Sequence, residues 1–515
     1  MNEVQQAWDA WQAATPPATK EVQNYTNACL DWQSTLGLSK AEVQQTDVTA
    51  IWTFATPALR AWREAESTLD PKTQRTERYH AAEMVRSTMG IVRNLAISEA
   101  HTTEALRHWD DIQATLHMCL TFERMSDPIL IPAIRVMAQC LTNWITGHDE
   151  AKTMLWTACV VPPASTSSLQ VIHRLLSSSD ERTSLAALVF LLNALIGHHE
   201  RFRDLFDTEA GGQIMDVVIH MYSPSRMDDY SDVIDIILAI ADGFFEAGLA
   251  GALYAKMGPL DDVTTSQITW IHILASCQHE LVHKDVARPW KTTAEPLVES
   301  MLLLTEQAIA EMNKAVTKSG EVNQSILVRS YLGLLGLLDC LHASGMRGQE
   351  AVGTKTQTDT EAVALLAHMR TAGVVPACVR LLHETNLYKP PVSPFQPALA
   401  GLQPPEGHVL SSLHTTQSEH EIYADSSMPH LKRATLQLLG TLVFHPERTS
   451  TLPPHIKAVQ DEVRELGGLY DVLSLTALDE LNPYIREHAI FTLRYLLEKN
   501  DESQAQVRQL RPVPL

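Results

Sequence analysis

Three segments of this chain share one pattern of apolar and polar residues, and this repetition is the feature that most limits the possible fold. The segments read TMGIVRNLAISEAHTTEAL, VMAQCLTNWITGHDEAKTMLW and ALVFLLNALIGHHERFRDLF. Their aligned asparagines are Asn94, Asn143 and Asn193, so successive units are 49 and 50 residues apart. Apolar residues in each unit recur at helical spacing, which indicates amphipathic helices. A periodic helical array is therefore expected.

The repeat length indicates how these helices are arranged. The units are slightly longer than the roughly 40 to 47 residues of armadillo and HEAT repeats. Such a unit cannot bury its apolar stripe alone, so neighbouring units stack and share a continuous core. The chain has 515 residues and is 45% hydrophobic, which supplies enough apolar side chains for this core. We predict an all-α, armadillo/HEAT-like α-solenoid, a right-handed superhelix of stacked helical repeats.

Composition along the chain predicts four regions. Residues 1–75 carry five tryptophans and are expected to form an N-terminal helical cap, which covers the exposed end of a solenoid core. Residues 76–385 are predicted to hold the armadillo-like repeats. Residues 386–428 begin with repeated prolines and continue with Ser, Thr and His, which predicts a disordered insertion. Residues 429–515 are expected to complete the solenoid.

Charge excludes some classes of partner. The formal net charge is −21, from 61 acidic and 40 basic residues, and such a surface repels phosphate backbones and anionic membrane leaflets. No nucleic-acid partner is expected. The most apolar long segment, residues 233–255, contains Asp235, Asp242 and Glu246, which predicts two core helices rather than a membrane span. No membrane insertion is expected.

Cysteine usage and the first residues predict a cytoplasmic protein. The seven cysteines are dispersed and form no Cys-x-x-Cys pair, a pattern that indicates buried free thiols. The chain begins MNEVQQAWDAWQAA, which lacks the basic start and apolar stretch of a signal peptide. Secretion is therefore not expected.

One segment matches an enzyme motif. The run HELVH, from His279 to His283, has the His-Glu-x-x-His pattern of zinc metalloproteases, in which Glu280 would activate a metal-bound water. A catalytic zinc needs a third protein ligand, and Val286 and Pro289 stand where the metzincin pattern requires Gly and His. A polar helix face is the favoured interpretation. A zinc metallohydrolase is a remote alternative.

A second segment has the glycine spacing of a nucleotide-binding loop. The run GMRGQEAVGTKTQTDT, which starts at Gly345, is predicted to be a surface loop. Gly348 and Gly353 are spaced as in a phosphate-binding loop, but Thr354 and Lys355 stand in the reverse of the required order. No nucleophile elbow is present either. We expect no enzymatic activity, no metal and no cofactor.

The aligned asparagines are candidate protein-binding residues. Inner helices of a solenoid line a concave groove, where the amides of Asn94, Asn143 and Asn193 could bind the backbone of an extended partner, with Arg93 beside them. The alternative is that each asparagine forms a hydrogen bond within its own repeat and stiffens the loop. Both interpretations stay open.

The segment after the predicted insertion is the most specific part of the sequence. It contains Gln460-Asp461, the run RELGG at residues 464–468, the run NPYIREHAI at residues 482–490, and Arg494. With these residues it resembles the C-terminal domain of the ataxin-10 family, and more its fungal members than its animal ones. Within it, Gly467-Gly468 is expected to take left-handed conformations between two helices.

The run at residues 482–490 is predicted to start a helix. Asn482-Pro483 can cap it, because proline is tolerated in a first helical turn. Arg486, Glu487 and Arg494 are expected to face outward or towards the groove, either as solvated charges or as contacts to a partner. Tyr495 replaces the asparagine usual in the family, which weakens the case for amide recognition in this last groove.

The resemblance implies a function that composition cannot show. It implies an armadillo-like cytoplasmic protein with a role in cytokinesis, a tendency to self-associate, and no catalytic residues. We therefore expect a non-enzymatic scaffold that binds other proteins, is able to form a homo-oligomer, and regulates cell division. An armadillo adaptor for transport or complex assembly, unrelated to division, is the alternative.

Overall fold

The computed structural model describes residues 1–13, 19–38, 43, 46–162, 170–222, 231–280, 290–351, 357–390, 428, 430–445, 452–477 and 484–509. These residues form helices joined by turns and short connections, and none of them lies in a strand. The chain divides into two compact units, Met1–Ile240 (unit 1) and Ala241–Leu515 (unit 2). The predicted all-α helical-repeat class is confirmed.

Unit 1 is built from short helices alternating with longer ones. They are α1 (Asn2–Ala13), α2 (Thr19–Leu38), α3 (Trp52–Thr68), α4 (Arg75–Leu95), α5 (Glu99–Arg107), α6 (Trp109–Cys119), α7 (Phe122–Met125), α8 (Ile131–Ile145), α9 (Asp149–Leu155), α10 (Val171–Leu176), α11 (Glu181–Leu195), α12 (His199–Asp207), α13 (Glu209–Met221) and α14 (Ser231–Glu246). A π-helical turn, Trp156–Val160, follows α9, and α14 continues into unit 2.

The long helices of unit 1 form one ladder. Helix α2 packs on α4, α4 on α8, and α8 on α11, so equivalent helices of successive repeats are neighbours. In two repeats the ladder helix ends at a glycine with positive φ, Gly147 (81°) and Gly197 (80°), after which the chain turns into the next helix. Glycine suits these turns because it has no Cβ to clash in the left-handed region. Stacking of this kind buries the apolar stripe of each repeat.

The predicted N-terminal cap region contains three of these helices. Trp8 and Trp62 are fully buried, and Tyr25 contacts both Trp8 and Phe54 edge-on. Trp52 stacks on His108, with ring centroids 4.5 Å apart. The aromatic residues therefore form a core here, while the capping role stays a prediction.

Unit 2 has a second ladder. Its further helices are α15 (Ala250–Lys256), α16 (Thr265–Glu280), α17 (Trp290–Thr317), α18 (Gln324–Ala351), α19 (Gln357–Thr371), α20 (Val374–Tyr388), α21 (Leu431–Val443), α22 (Pro454–Glu465), α23 (Gly468–Ser474), α24 (Ile485–Leu497) and α25 (Asp501–Gln509). Helix α16 packs on α18, α18 on α21, and α21 on α24. A parallel row is formed by α17, α20 and α23.

The expectation for residues 233–255 is confirmed. They form α14 and α15, which flank a turn at Gly248, and Phe244, Phe245 and Tyr254 are fully buried. Among the described residues one helical stretch, residues 324–346 of α18, is long and apolar enough to cross a membrane, and the bent pair Val363–Thr371 and Val374–Tyr388 would be a second if it formed one span. Most of residues 324–346 is buried by its neighbours in the ladder. Such burial is typical of a core helix.

The loop predicted for residues 345–360 is wrong at both ends, because α18 continues to Ala351 and α19 begins at Gln357. Gly345 lies where a Cβ would come 2.7 Å from Cγ2 of Thr441, so the missing side chain lets α18 approach α21 closely. The buried Gln349 then donates from Nε2 to the carbonyls of Thr441 and Phe444, at 3.0 Å each. Residues 352–356 lie outside the described residues, as do residues 391–427 of the predicted insertion. The first three residues of that prediction, 386–388, are helical, because α20 continues to Tyr388.

Candidate protein-binding surface

The three aligned asparagines have equivalent places in the ladder of unit 1. Each lies near the end of α4, α8 or α11 and is partly exposed. Asn94 donates from Nδ2 to the carbonyl of Gln33 at 2.9 Å, and Asn143 donates to the carbonyl of Arg93 at 3.3 Å. Asn193 donates to Oγ1 of Thr146, also at 3.3 Å. Every one of these bonds reaches the preceding ladder helix.

The asparagines therefore link neighbouring repeats rather than positions within one repeat. Arg93 extends the connection in the other direction, because its Nη1 donates to Oε1 of Gln139 on α8 at 2.8 Å while its Nε donates to Oδ1 of Asn94 at 3.1 Å. An amide offers two donor hydrogens and one acceptor oxygen. One donor is used for stacking in each repeat, and Oδ1 of Asn94 also accepts from Arg93. Recognition of a partner by the remaining groups stays a prediction.

The charged candidates of α24 lie on its exposed side. Arg486, Glu487 and Arg494 are exposed, while Ile485, Ala489 and Leu496 are buried against the rest of the unit. Residues four apart share one side of a helix, so Arg486 and Arg494 flank Ile490. The Arg494 guanidinium also lies 5.8 Å from the centroid of the Tyr495 ring.

Sequence reasoning missed the apolar part of this surface. Tyr484 is 72% exposed, Ile490 51% and Phe491 45%. Phe491 contacts Tyr495 with ring centroids 4.9 Å apart, and Tyr495 in turn contacts Phe444. The signal was present, because Ile490 and Phe491 fall on the side of the helix opposite Ile485 and Ala489. We name Tyr484, Arg486, Ile490, Phe491 and Arg494 the α24 face.

A buried polar network holds the end of α24 in place. Gln460 on α22 is fully buried and donates from Nε2 to the carbonyls of Tyr495 and Glu498, at 2.6 and 3.1 Å. Its Oε1 accepts from the Asn500 side chain at 3.1 Å, and Asn500 accepts from the backbone N–H of Ser503 at the start of α25. Unpaired carbonyls at a helix end need such partners when they are buried. Gln460 thus joins α22, α24 and α25.

Backbone conformation fixes two helix starts in this segment. Gly467 has φ 80° between α22 and α23, which confirms the left-handed turn predicted there for this residue, whereas Gly468 is already the first residue of α23. Tyr484 has φ 66° immediately before α24, an uncommon conformation for a residue with a side chain. Asn482-Pro483, the predicted cap, lies outside the described residues.

The described residues contain no group of three or more His, Cys, Asp or Glu side chains that could hold a metal. The side chains of the His279 to His283 motif lie outside the described residues. All seven cysteines are buried, and burial raises the pKa of Cys119, Cys140 and Cys378 to about 12. Thiols of this kind stay protonated at neutral pH and are poor nucleophiles.

Comparison with known families places the C-terminal helices. Residues 431–514 match the family described as "Spinocerebellar ataxia type 10 protein domain". The chain carries an ataxin-10 domain. The domain begins with α21, includes the α24 face and the Gln460 network, and confirms the resemblance predicted from the sequence.

Several ataxin-10 homologues of fungi are also similar to part of this chain. The Saccharomyces cerevisiae homologue is 34% identical over 106 residues, which cover 20% of this chain and 17% of that protein. The Kluyveromyces lactis homologue is 40% identical over 86 residues, covering 17% and 14%. The Debaryomyces hansenii homologue is 24% identical over 201 residues, covering 39% and 32%. The chain thus matches a third or less of the length of each of these relatives.

A solved structure, "Crystal Structure of SYS-1 at 2.6A resolution", aligns with 96% of this chain and 75% of that one, with a TM-score of 0.36 and 13% identity. A TM-score this low carries no argument about this protein.

Proposed function

We propose that this protein is a non-enzymatic, cytoplasmic scaffold that binds other proteins and takes part in the regulation of cytokinesis. The ataxin-10 domain at residues 431–514 is the observation that carries the proposal. Two helical ladders support the scaffold part, because stacked repeats provide long surfaces for partners. The net charge of −21 favours protein partners over nucleic acid.

The α24 face is the surface best suited to such binding. It combines two exposed apolar side chains, Ile490 and Phe491, with the guanidinium groups of Arg486 and Arg494. Aromatic residues and arginine are enriched at protein interfaces, where they contribute most of the binding energy. A partner with an apolar centre and acidic margins would fit, and a second copy of this acidic chain is one such partner. Association into a homo-oligomer is therefore part of the proposal.

Rapid depletion of the protein in its own organism tests the cytokinesis role. After one division, cells with more than one nucleus or an unfinished septum are counted, and re-expression of the intact chain serves as the control. We expect such cells to accumulate and the intact chain to prevent them. Normal division after depletion would reject the role in cytokinesis and favour an adaptor for transport or complex assembly.

The non-enzymatic part is tested by metal analysis of the purified chain. We expect no stoichiometric zinc and no loss of function on His279→Ala. Stoichiometric zinc that is lost in this variant would instead support a metallohydrolase.

A further inference from the structure

Helix α24 packs on α21 through one flank. A Cβ at Gly440 of α21 would come 2.7 Å from Oγ1 of Thr492, so the two helices approach each other closely there. One turn earlier, the Nε2 atoms of His488 and Gln437 lie 3.3 Å apart. His488 and Thr492 therefore mark the flank of α24 that α21 covers.

The opposite flank of α24 carries an apolar stripe. Successive residues of an α-helix are about 100° apart, so Ile490 lies about 200° from both His488 and Thr492. Leu493 and Leu497 follow Ile490 at i+3 and i+7 and share its side of the helix. Ile490 is 51% exposed, and Leu493 and Leu497 are partly exposed. We name Ile490, Leu493 and Leu497 the outer flank.

The outer flank lies where the ladder of unit 2 would add a helix. Helix α18 packs on both α16 and α21, and α21 packs on both α18 and α24. With a neighbour on each side, α21 is buried at nearly every residue. The buried residues of α24 are only Ile485, Ala489, Thr492 and Leu496. Among the described residues α24 is the last ladder helix, and a stacked helix buries its stripe only against a neighbour.

The charges beside the outer flank favour an acidic occupant. Arg486 and Arg494 are exposed, one turn before and one turn after Ile490, and neither forms an ion pair with another described residue. Two-fold pairing of this flank with a second copy would place the same surface on both sides and set Arg486 against Arg494 of the other copy. Like charges in contact are unfavourable, whereas carboxylates would pair with both guanidinium groups.

We propose that the outer flank of α24 binds an amphipathic helix of another protein, which continues the ladder of unit 2 by one helix. An apolar stripe of that helix packs on Ile490, Leu493 and Leu497, and acidic residues beside the stripe pair with Arg486 and Arg494. The two helix axes lie about 8–10 Å apart, as in packed helices generally. This inference rests on the proposed protein binding by the α24 face and adds the form and charge of the partner.

Photo-cross-linking from single positions of the full chain in its own cells tests the form of the partner. Benzoylphenylalanine replaces Ile490 or Leu497, and the cross-linked partner residues are identified by mass spectrometry. The two positions are about 10.5 Å apart along α24, a distance that a helix spans with about seven residues and an extended chain with about three. We expect the cross-linked residues to lie about seven apart in one protein. Ile196, which is 58% exposed in unit 1, is the control position.

A charge reversal tests the acidic margins of the partner helix. Arg486→Glu/Arg494→Glu should lower the cross-linking yield at Ile490 by about tenfold, because like charges would then meet. Arg486→Lys/Arg494→Lys is the matched control and should keep most of the yield. Equal yields from the two chains would overturn the proposal.

Four other results would also overturn it. They are cross-linked residues about three apart, cross-links to a second copy of this chain, cross-links to residues 510–515 of the same chain, and no cross-link above the control position. Helical spacing together with normal division after depletion would reject the role in cytokinesis and leave helix binding intact. Failed division without a helical partner at this flank would do the opposite.

Discussion

Within the ataxin-10 domain, the buried Gln460 side chain donates to two backbone carbonyls and accepts from the Asn500 amide. Gln460→Ala leaves these buried groups without a partner, and a buried unsatisfied group costs about 1–3 kcal/mol. We expect the free energy of unfolding to fall by about 2–3 kcal/mol, measured by urea denaturation. Gln437→Ala is the control, because Gln437 is partly exposed and, among the described residues, its side-chain amide contacts the His488 ring alone, at 3.3 Å. Equal effects of the two changes would contradict the role given to Gln460.

Asn143 provides a test of the links between repeats. Asn143→Ala removes the bond to the Arg93 carbonyl, and we expect a loss of about 1 kcal/mol in the free energy of unfolding. Asn193→Ala removes an exposed bond between side chains and should cost less than about 0.5 kcal/mol. The order of the two urea midpoints checks this, and a larger effect at Asn193 would contradict it.

At the scale of single residues, the sequence singled out positions better than it predicted the hydrogen bonds that those residues form. The asparagine alignment was visible and Gln460 belonged to the family resemblance, but the hydrogen bonds of Asn94, Asn143 and Gln460 end on backbone carbonyls of other helices. A carbonyl has the same chemistry in every residue, so no sequence pattern marks the one that accepts. The exposure of Ile490 and Phe491 was missed because apolar residues in a helical repeat are normally assigned to the core.

The connection between α12 and α13 shows how tightly these short helices pack. A Cβ at Gly211 would lie 2.3 Å from the carbonyl oxygen of Leu205, whereas a Cβ at the neighbouring Gly212 meets nothing within 4 Å. Gly211→Ala must therefore push backbone apart, and we expect a loss of about 1–3 kcal/mol. Gly212→Ala should instead stabilise the helix by up to about 1 kcal/mol.

Thermal denaturation of the two variants, followed by circular dichroism, measures the difference. The neighbouring glycines are each other's control, because they lie in the same first turns of α13. A Gly211→Ala chain as stable as Gly212→Ala would mean that the two helices separate without cost.

Helices α3 and α6 are joined by an ion pair that should titrate in acid. Arg60 donates to both carboxylate oxygens of Asp111, at 2.8 and 2.6 Å, and Arg63 donates to one of them at 2.7 Å. The Arg60 hydrogen bonds, followed by those of Arg63, lower the pKa of Asp111 to about 2 against the effect of burial, which raises it. The carboxylate binds its proton more weakly in the folded state than in the unfolded one.

The stability that the Asp111 ion pair adds to the folded state is fully present above the pKa of aspartate in the unfolded chain, about 3.9, and is lost as the pH falls towards 2. Asp111→Asn should cost about 1–2 kcal/mol at pH 7, allowing for the exposure of Arg60, and should lose less stability than the wild type between pH 4 and pH 2. Urea denaturation across this pH range measures both quantities. If the free energy of unfolding fell equally in the wild type and in Asp111→Asn between pH 4 and pH 2, the assignment of this acid titration to Asp111 would be contradicted.

Helices themselves were predicted well from periodicity, and their ends less well. The loop expected from Gly345 proved to be helix because the close approach of Thr441 and the bonds of Gln349 stabilise it. Glycine normally disfavours helix interiors, but here it permits packing between two elements. This is a tertiary effect that local composition does not reveal.

Across the whole chain, repetition was enough to predict the fold class. Stacked units need only apolar positions that recur regularly, and the 49- and 50-residue spacings between the aligned asparagines show this recurrence in the sequence. The proposed function depends on the α24 face instead, where exposure of Tyr484 and Ile490 follows from the side of α24 that packs on α21. The side of α24 that faces α21 was visible only in the structure.

The most direct test of protein binding through the α24 face is rescue of depleted cells by variants. Tyr484→Ser/Ile490→Ser removes two exposed apolar side chains of the face, and Ile97→Ser/Ile196→Ser removes two equally exposed ones from unit 1. Both chains should unfold at the same urea concentration as the wild type. We predict that the unit 1 variant restores single-nucleus cells with complete septa and that the α24 variant does not. Full rescue by the folded α24 variant would contradict the account.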